Sequence, residues 1–147
     1  MPMSDPHIDE LMRHGHWDEA IAACTDALHI QPCSPRLRGL LGMCYFRLQR
    51  WDEAEKEFRK AVSLDPNFWE AGVKLAQSLD RLKRYDEAYV TAVEWLRVQP
   101  NDPALQALID ALGRYKHSNA TDAWERTIRA DAELLSTLDH ENQARRR

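Results

Sequence analysis

Apolar and polar positions alternate along this chain in short helical blocks, and the blocks themselves return every 34 residues. Trp17-Asp18-Glu19-Ala20 recurs as Trp51-Asp52-Glu53-Ala54 and again as Tyr85-Asp86-Glu87-Ala88, while Pro32, Pro66 and Pro100 keep the same interval. A fixed period of this size marks a repeat architecture in which each unit is one supersecondary element. Within a unit the apolar spacing is that of helices, as in the stripe Leu105, Leu108, Ile109 and Leu112. The seven prolines, at 2, 6, 32, 35, 66, 100 and 103, fall at the proposed boundaries. Asp5-Pro6, Ser34-Pro35 and Asp102-Pro103 each join an N-capping side chain to a proline whose missing N–H costs nothing in a first helical turn. They are expected to open the first helix of each pair, with Asp18, Asp52 and Asp86 capping the second. Arg13, Arg47 and Arg81 fall near the C-terminal ends of the first helices, where the macrodipole favours a cation. A last helix, predicted over about 121–140, carries Trp124, Ile128, Leu134, Leu135 and Leu138 on one stripe, with Asp122, Glu125, Arg126, Arg129 and Glu133 largely off it.

Within the frame, Leu41-Gly42, Tyr45, Ala54, Phe58, Ala61 and Pro66 stand at the signature positions of the tetratricopeptide repeat, which the chain strongly resembles. Arg38 stands where that family usually has Trp. The next unit has Gly72 at the Trp position and Ala92 and Trp95 where Phe and Ala are usual, so large and small residues have traded places and volume is conserved. The first unit matches through Ala20, Ala27 and Pro32, with Cys24 at its aromatic position. The fourth has Asp110 for the usual Gly, and then slips by about one residue to Ala123 and Ala130. The resemblance covers about 5–131. It implies an all-α fold: one domain, a right-handed superhelical stack of antiparallel helix pairs, with units at about 1–34 (partial), 35–68, 69–102 and 103–140 (degenerate and capping), and a tail over 141–147.

Composition narrows the function classes. The chain has 147 residues, 20 Lys and Arg against 24 Asp and Glu, and a net charge of −4. That length supports a self-standing core, and the acidic balance disfavours a general nucleic-acid binder. Arg145-Arg146-Arg147 reads as a solvated tail. No stretch approaches a membrane span, the N-terminus lacks a secretory pattern, and the three cysteines Cys24, Cys33 and Cys44 suit packing thiols, so a cytoplasmic protein is expected. Phosphate loops, nucleophile elbows and zinc-protease motifs are absent, so no enzymatic activity and no cofactor is expected. His7, Glu10 and His14 share a helix face with His16 nearby, but a solvated face is favoured over a metal or acid–base site. Cys24 and Cys44 are expected to be buried, with no nearby base or helix N-terminus to lower a thiol pKa.

The resemblance implies a concave groove lined by the first helices, binding a peptide or helix of a protein partner. Carried over by position, the groove comprises Arg36, Gly39, Leu40, Met43, Phe46 and Arg47, then Glu70, Val73, Lys74, Gln77, Asp80 and Arg81, then Ala104, Ala107, Leu108, Ala111, Arg114 and Tyr115. Its apolar floor and basic edge suit a ligand combining apolar anchors with acidic residues. Family members that clasp acidic chaperone tails place Lys and Asn on the first clamp helix. Here those positions are Asp5 and Asp9, or Gly39 and Met43, so such tails are disfavoured. A non-enzymatic adaptor is the leading reading. The alternatives are a small dedicated chaperone like those of bacterial secretion systems, and an oligomeric scaffold assembled through Leu134, Leu135 and Leu138.

Overall fold

The computed structural model describes residues 5–113 and 119–146, without the side chains of residues 5 and 119–125. Among the described residues there are eight helices and no strand: α1 (Asp5–Arg13), α2 (Trp17–Ile30), α3 (Pro35–Arg47), α4 (Trp51–Leu64), α5 (Trp69–Arg81), α6 (Tyr85–Val98), α7 (Pro103–Gly113) and α8 (Asn119–Arg145). Expectations for Arg114 and Tyr115, and for the side chains of Asp5, Asp122, Ala123, Trp124 and Glu125, lie outside the described residues. The chain divides between Ile109 and Asp110 into two compact units.

In the first unit, helices pack on their chain neighbours in succession from α1 to α6, and α3 also touches α5. Small residues set the spacing. Ala20, Ala54, Ala88 and Ala92 are fully buried, which lets helices approach closely around Cys24, Phe58, Leu75 and Leu79. Gly42 lies against the Phe58 ring, where an added Cβ would come within 2.8 Å. Gly72 is tighter still: an added Cβ would stand 2.2 Å from the Trp95 indole, so the exchange of large and small residues expected in the third pair is realised in three dimensions.

Punctuation follows the sequence in part. Ser34 Oγ accepts from Leu37 N at 3.2 Å, and Asp102 Oδ1 accepts from Leu105 N at 2.9 Å, each capping a helix that begins on proline. The capping role expected of Asp18, Asp52 and Asp86 is not borne out. The caps are His16, Arg50 and Arg84, without a side-chain cap bond, and the aspartates lie inside the first turn. There they still meet the positive helix end, so their contribution is electrostatic.

The turns within the first three pairs share one geometry. Gly15, Gln49 and Lys83, spaced by 34, all have positive φ, at 77°, 60° and 62°. The following residue donates six-to-one across the helix end: His16 N to Leu11 O at 2.8 Å, and Arg50 N to Tyr45 O and Arg84 N to Leu79 O at 2.9 Å.

In the second unit, α8 has 27 residues and runs beyond the predicted end at 140 to Arg145. No Gly or Pro interrupts that span. Ile128, Leu134, Leu135 and Leu138 are 39–64 % exposed along it.

Candidate functional site

The first helix of the second pair and the first helix of the third enclose a pocket of about 290 Å3. From α3 come Arg36, Gly39, Leu40 and Met43, and from α5 come Glu70, Ala71 and Lys74, with Phe58 and Phe68 closing the space between them. Residues 36, 40 and 43 share a face by helical spacing, as do 70, 71 and 74. Gly39 opens the wall, since a Cβ there would meet the Phe68 ring at 2.9 Å. Phe68 precedes α5 in a connection, so helical periodicity does not mark it as a lining residue. Its bulk opposite Gly39 is the one sequence signal that could.

The charges at this site are unevenly compensated. Arg36 donates to Asp9 of α1 at 3.2 Å. Lys74 Nζ lies 4.8 Å from the Phe46 ring centroid and donates to Gln77 Oε1 at 3.1 Å. Burial, reinforced by repulsion from Arg47, lowers the Lys74 pKa from its ordinary 10.5. Among the described residues no carboxylate is within ion-pair distance of that amine. The result is a partly desolvated cation beside an apolar pocket.

Other expected groove residues have internal occupations. Phe46 meets Trp51 edge-on with centroids 4.9 Å apart. Arg47 lies over Trp17 at 5.9 Å and Arg81 over Trp51 at 5.6 Å, so each arginine reaches back to the aromatic residue that opens the preceding second helix. Arginine and tryptophan share the 34-residue period, which is the signal that could have paired them. Val73 and Leu108 are only 6 % and 9 % exposed and offer almost no surface. Leu134, Leu135 and Leu138 belong to the second unit, and Arg114 is outside the described residues.

Elsewhere, Cys24 and Cys44 are buried, and Cys33 is exposed. The Cys44 pKa is held below its ordinary value by a hydrogen bond with Cys24, another thiol rather than a base or a helix N-terminus. Among the described residues, no three His, Cys, Asp or Glu side chains are grouped to hold a metal ion, and no helix is long and apolar enough to cross a membrane.

Two family models, both described as tetratricopeptide repeat, match residues 7–67 and 56–112. Hsp70-Hsp90 organizing protein 1 of Glycine max is 28 % identical over 106 residues, which is 72 % of this chain and 18 % of that protein. The chain thus spans less than a fifth of that relative. Among solved structures, the first such domain of Spaghetti (RPAP3), bound to an Hsp90 peptide, superposes with a TM-score of 0.74 at 23 % identity, covering 77 % of this chain and 90 % of that one. The type III secretion chaperone SycD of Yersinia enterocolitica, in complex with a peptide of the translocator YopD, has a TM-score of 0.72 at 14 % identity, covering 76 % and 91 %.

Proposed function

The chain belongs to the tetratricopeptide repeat family, and from that premise we propose that it is a non-enzymatic adaptor whose α3–α5 groove binds a segment of a partner protein. The observation that carries this reading is the apolar pocket beside Lys74, a half-buried cation with no carboxylate within ion-pair distance among the described residues. A large apolar side chain of the partner enters between Leu40, Met43 and Phe68, and an acidic residue nearby reaches the Lys74 amine. Burying one such side chain contributes about 1.5–3 kcal/mol, and the carboxylate sets its register.

Likeness to domains that hold peptides, including an Hsp90 peptide, supports a peptide-binding role. Resemblance to the chaperone-tail clamp remains incomplete, because Asp9 lies on α1 and is paired with Arg36, and Gly39 and Met43 line the pocket. The proposed ligand is therefore an internal segment with apolar and acidic residues. The likeness to a secretion chaperone favours a second reading in which the same groove shields one client.

A random-peptide display library selected on the immobilised full chain tests the proposal. Enriched peptides should pair a bulky apolar residue with Asp or Glu within about one helical turn, and should not bind a folded Leu40→Glu, Lys74→Glu variant. Equal binding to that variant, or enrichment of basic peptides, refutes it. Client degradation in cells lacking the protein would select the chaperone reading. Concentration-dependent mass, abolished by Leu134→Glu and Leu138→Glu, would select self-assembly.

A further inference from the structure

A second groove, of about 500 Å3, lies between the α2–α3 connection and the outer face of α4, and it shares no residue with the first. Pro32, Arg38, Lys56, Arg59, Lys60, Ser63 and Leu64 line it. Four of these seven are cations and none is acidic, in a chain whose net charge is −4.

Carboxylates offset part of this charge: the buried Glu55 and Glu57, and the exposed Glu87, which stands 3.9 Å from Arg59. Glu57, 9 % exposed, accepts from Arg38 at 3.1 Å and Lys60 at 3.2 Å. Glu55, 7 % exposed, accepts from Arg59 at 2.8 Å, and Arg84 stands 3.7 Å away. Among the described residues, no carboxylate is within ion-pair distance of Lys56. The three carboxylates stand against four lining cations, so the groove keeps an excess of positive charge. Leu64, 42 % exposed, and Pro32 supply an apolar floor.

We propose that this groove is a second docking site, for an acidic peptide segment that lays an apolar side chain on Pro32 and Leu64 and sets carboxylates against Lys56, Arg59 and Lys60. A small phosphate-like anion would leave the apolar floor unused. No aromatic ring lines the groove to stack a nucleobase, which favours peptide over single-stranded nucleic acid. The site is independent of the α3–α5 groove, so the chain can hold two segments at once.

The test uses the full chain and a fluorescent peptide of repeated Glu-Glu-Leu units, with the Gln-Gln-Leu peptide as control, followed by anisotropy. Lys56→Glu with Ser63→Asp reverses the field while leaving the Arg38, Arg59 and Lys60 ion pairs in place, and both positions are exposed. Because the α3–α5 groove would also accept a segment of apolar and acidic residues, binding is measured in Leu40→Glu, Lys74→Glu; there the acidic peptide should still bind, fall off with added salt, and weaken by about tenfold when Lys56→Glu and Ser63→Asp are added. Equal binding of the Gln peptide, or full retention once Lys56→Glu and Ser63→Asp are added, overturns the proposal. Loss already in Leu40→Glu, Lys74→Glu also overturns it and assigns the acidic peptide to the α3–α5 groove. If the double variant is unfolded by circular dichroism, Lys56→Glu alone serves, with a smaller loss of about threefold expected and full retention counting against the site.

Discussion

Replacing Gly72 with alanine should destabilise the protein, although it is a glycine-to-alanine change in the middle of a helix. On propensity alone, α5 would gain about 1 kcal/mol. The new methyl, however, would stand 2.2 Å from the Trp95 ring, about 1.2 Å inside the 3.4 Å at which ordinary contact begins. Trp95 is 9 % exposed, so its indole can yield only by driving α5 and α6 apart. Overpacking of this kind costs about 1–3 kcal/mol, and an overlap this deep belongs at or above the upper end. The net loss should therefore be about 2 kcal/mol or more. Trp95→Ala alone should cost about 3–5 kcal/mol through the cavity it leaves. Combining it with Gly72→Ala should relieve the clash, so that the two effects are non-additive by about 3 kcal/mol. Urea unfolding followed by far-ultraviolet circular dichroism measures all three variants without relying on tryptophan emission. A Gly72→Ala protein as stable as wild type, or more so, would refute the packing described for the third pair.

Four further outcomes are expected. Lys74 releases its proton in the folded chain below its ordinary 10.5, so between those values the unfolded chain binds more protons and stability rises with pH. Wild type should therefore gain stability relative to Lys74→Met as pH climbs through that alkaline window, and a flat difference would exclude the lowered pKa. A double-mutant cycle on Arg81→Gln and Trp51→Leu should give a coupling of about 0.5–1 kcal/mol, and zero coupling would mean that the stacking contributes nothing. Arg38→Leu should cost about 1–3 kcal/mol by leaving the buried Glu57 with Lys60 alone, while Arg38→Leu with Glu57→Leu should recover most of it, as read by the urea midpoint. Gln49→Gly and Lys83→Gly should each raise that midpoint, equivalent to about 1 kcal/mol of added stability, because a left-handed conformation penalises a side chain; lowered midpoints would argue against those turns.

Helix boundaries were legible because prolines and the Trp/Tyr-Asp-Glu-Ala element repeat in register. The exchange at Gly72, Ala92 and Trp95 was also legible, since volume is a property of residue type. The caps were not. Trp17, Trp51 and Tyr85 begin their helices, which moves the aspartates inside the first turn, and only backbone dihedrals distinguish those positions. Groove register brought Arg36, Leu40, Met43 and Lys74 together, yet it also selected Val73, which is buried, and it passed over Phe68. A helical wheel assigns a face but does not say how deeply the next helix sits upon it. The cation–π pairs, such as Arg81 with Trp51, join residues 30 apart through space, so only their common 34-residue period, and no local pattern, hints at them.

Succession of contacts in the first unit has a mechanical consequence. Helices that lean mainly on their chain neighbours behave like leaves of a spring, each joint free to yield a little without straining the joints beyond it. A bound segment wedged between α3 and α5 would brace two joints across α4. Occupancy of the groove would then be felt as stiffness, with helix ends on both sides exchanging their amide hydrogens more slowly than contact with the ligand alone could explain.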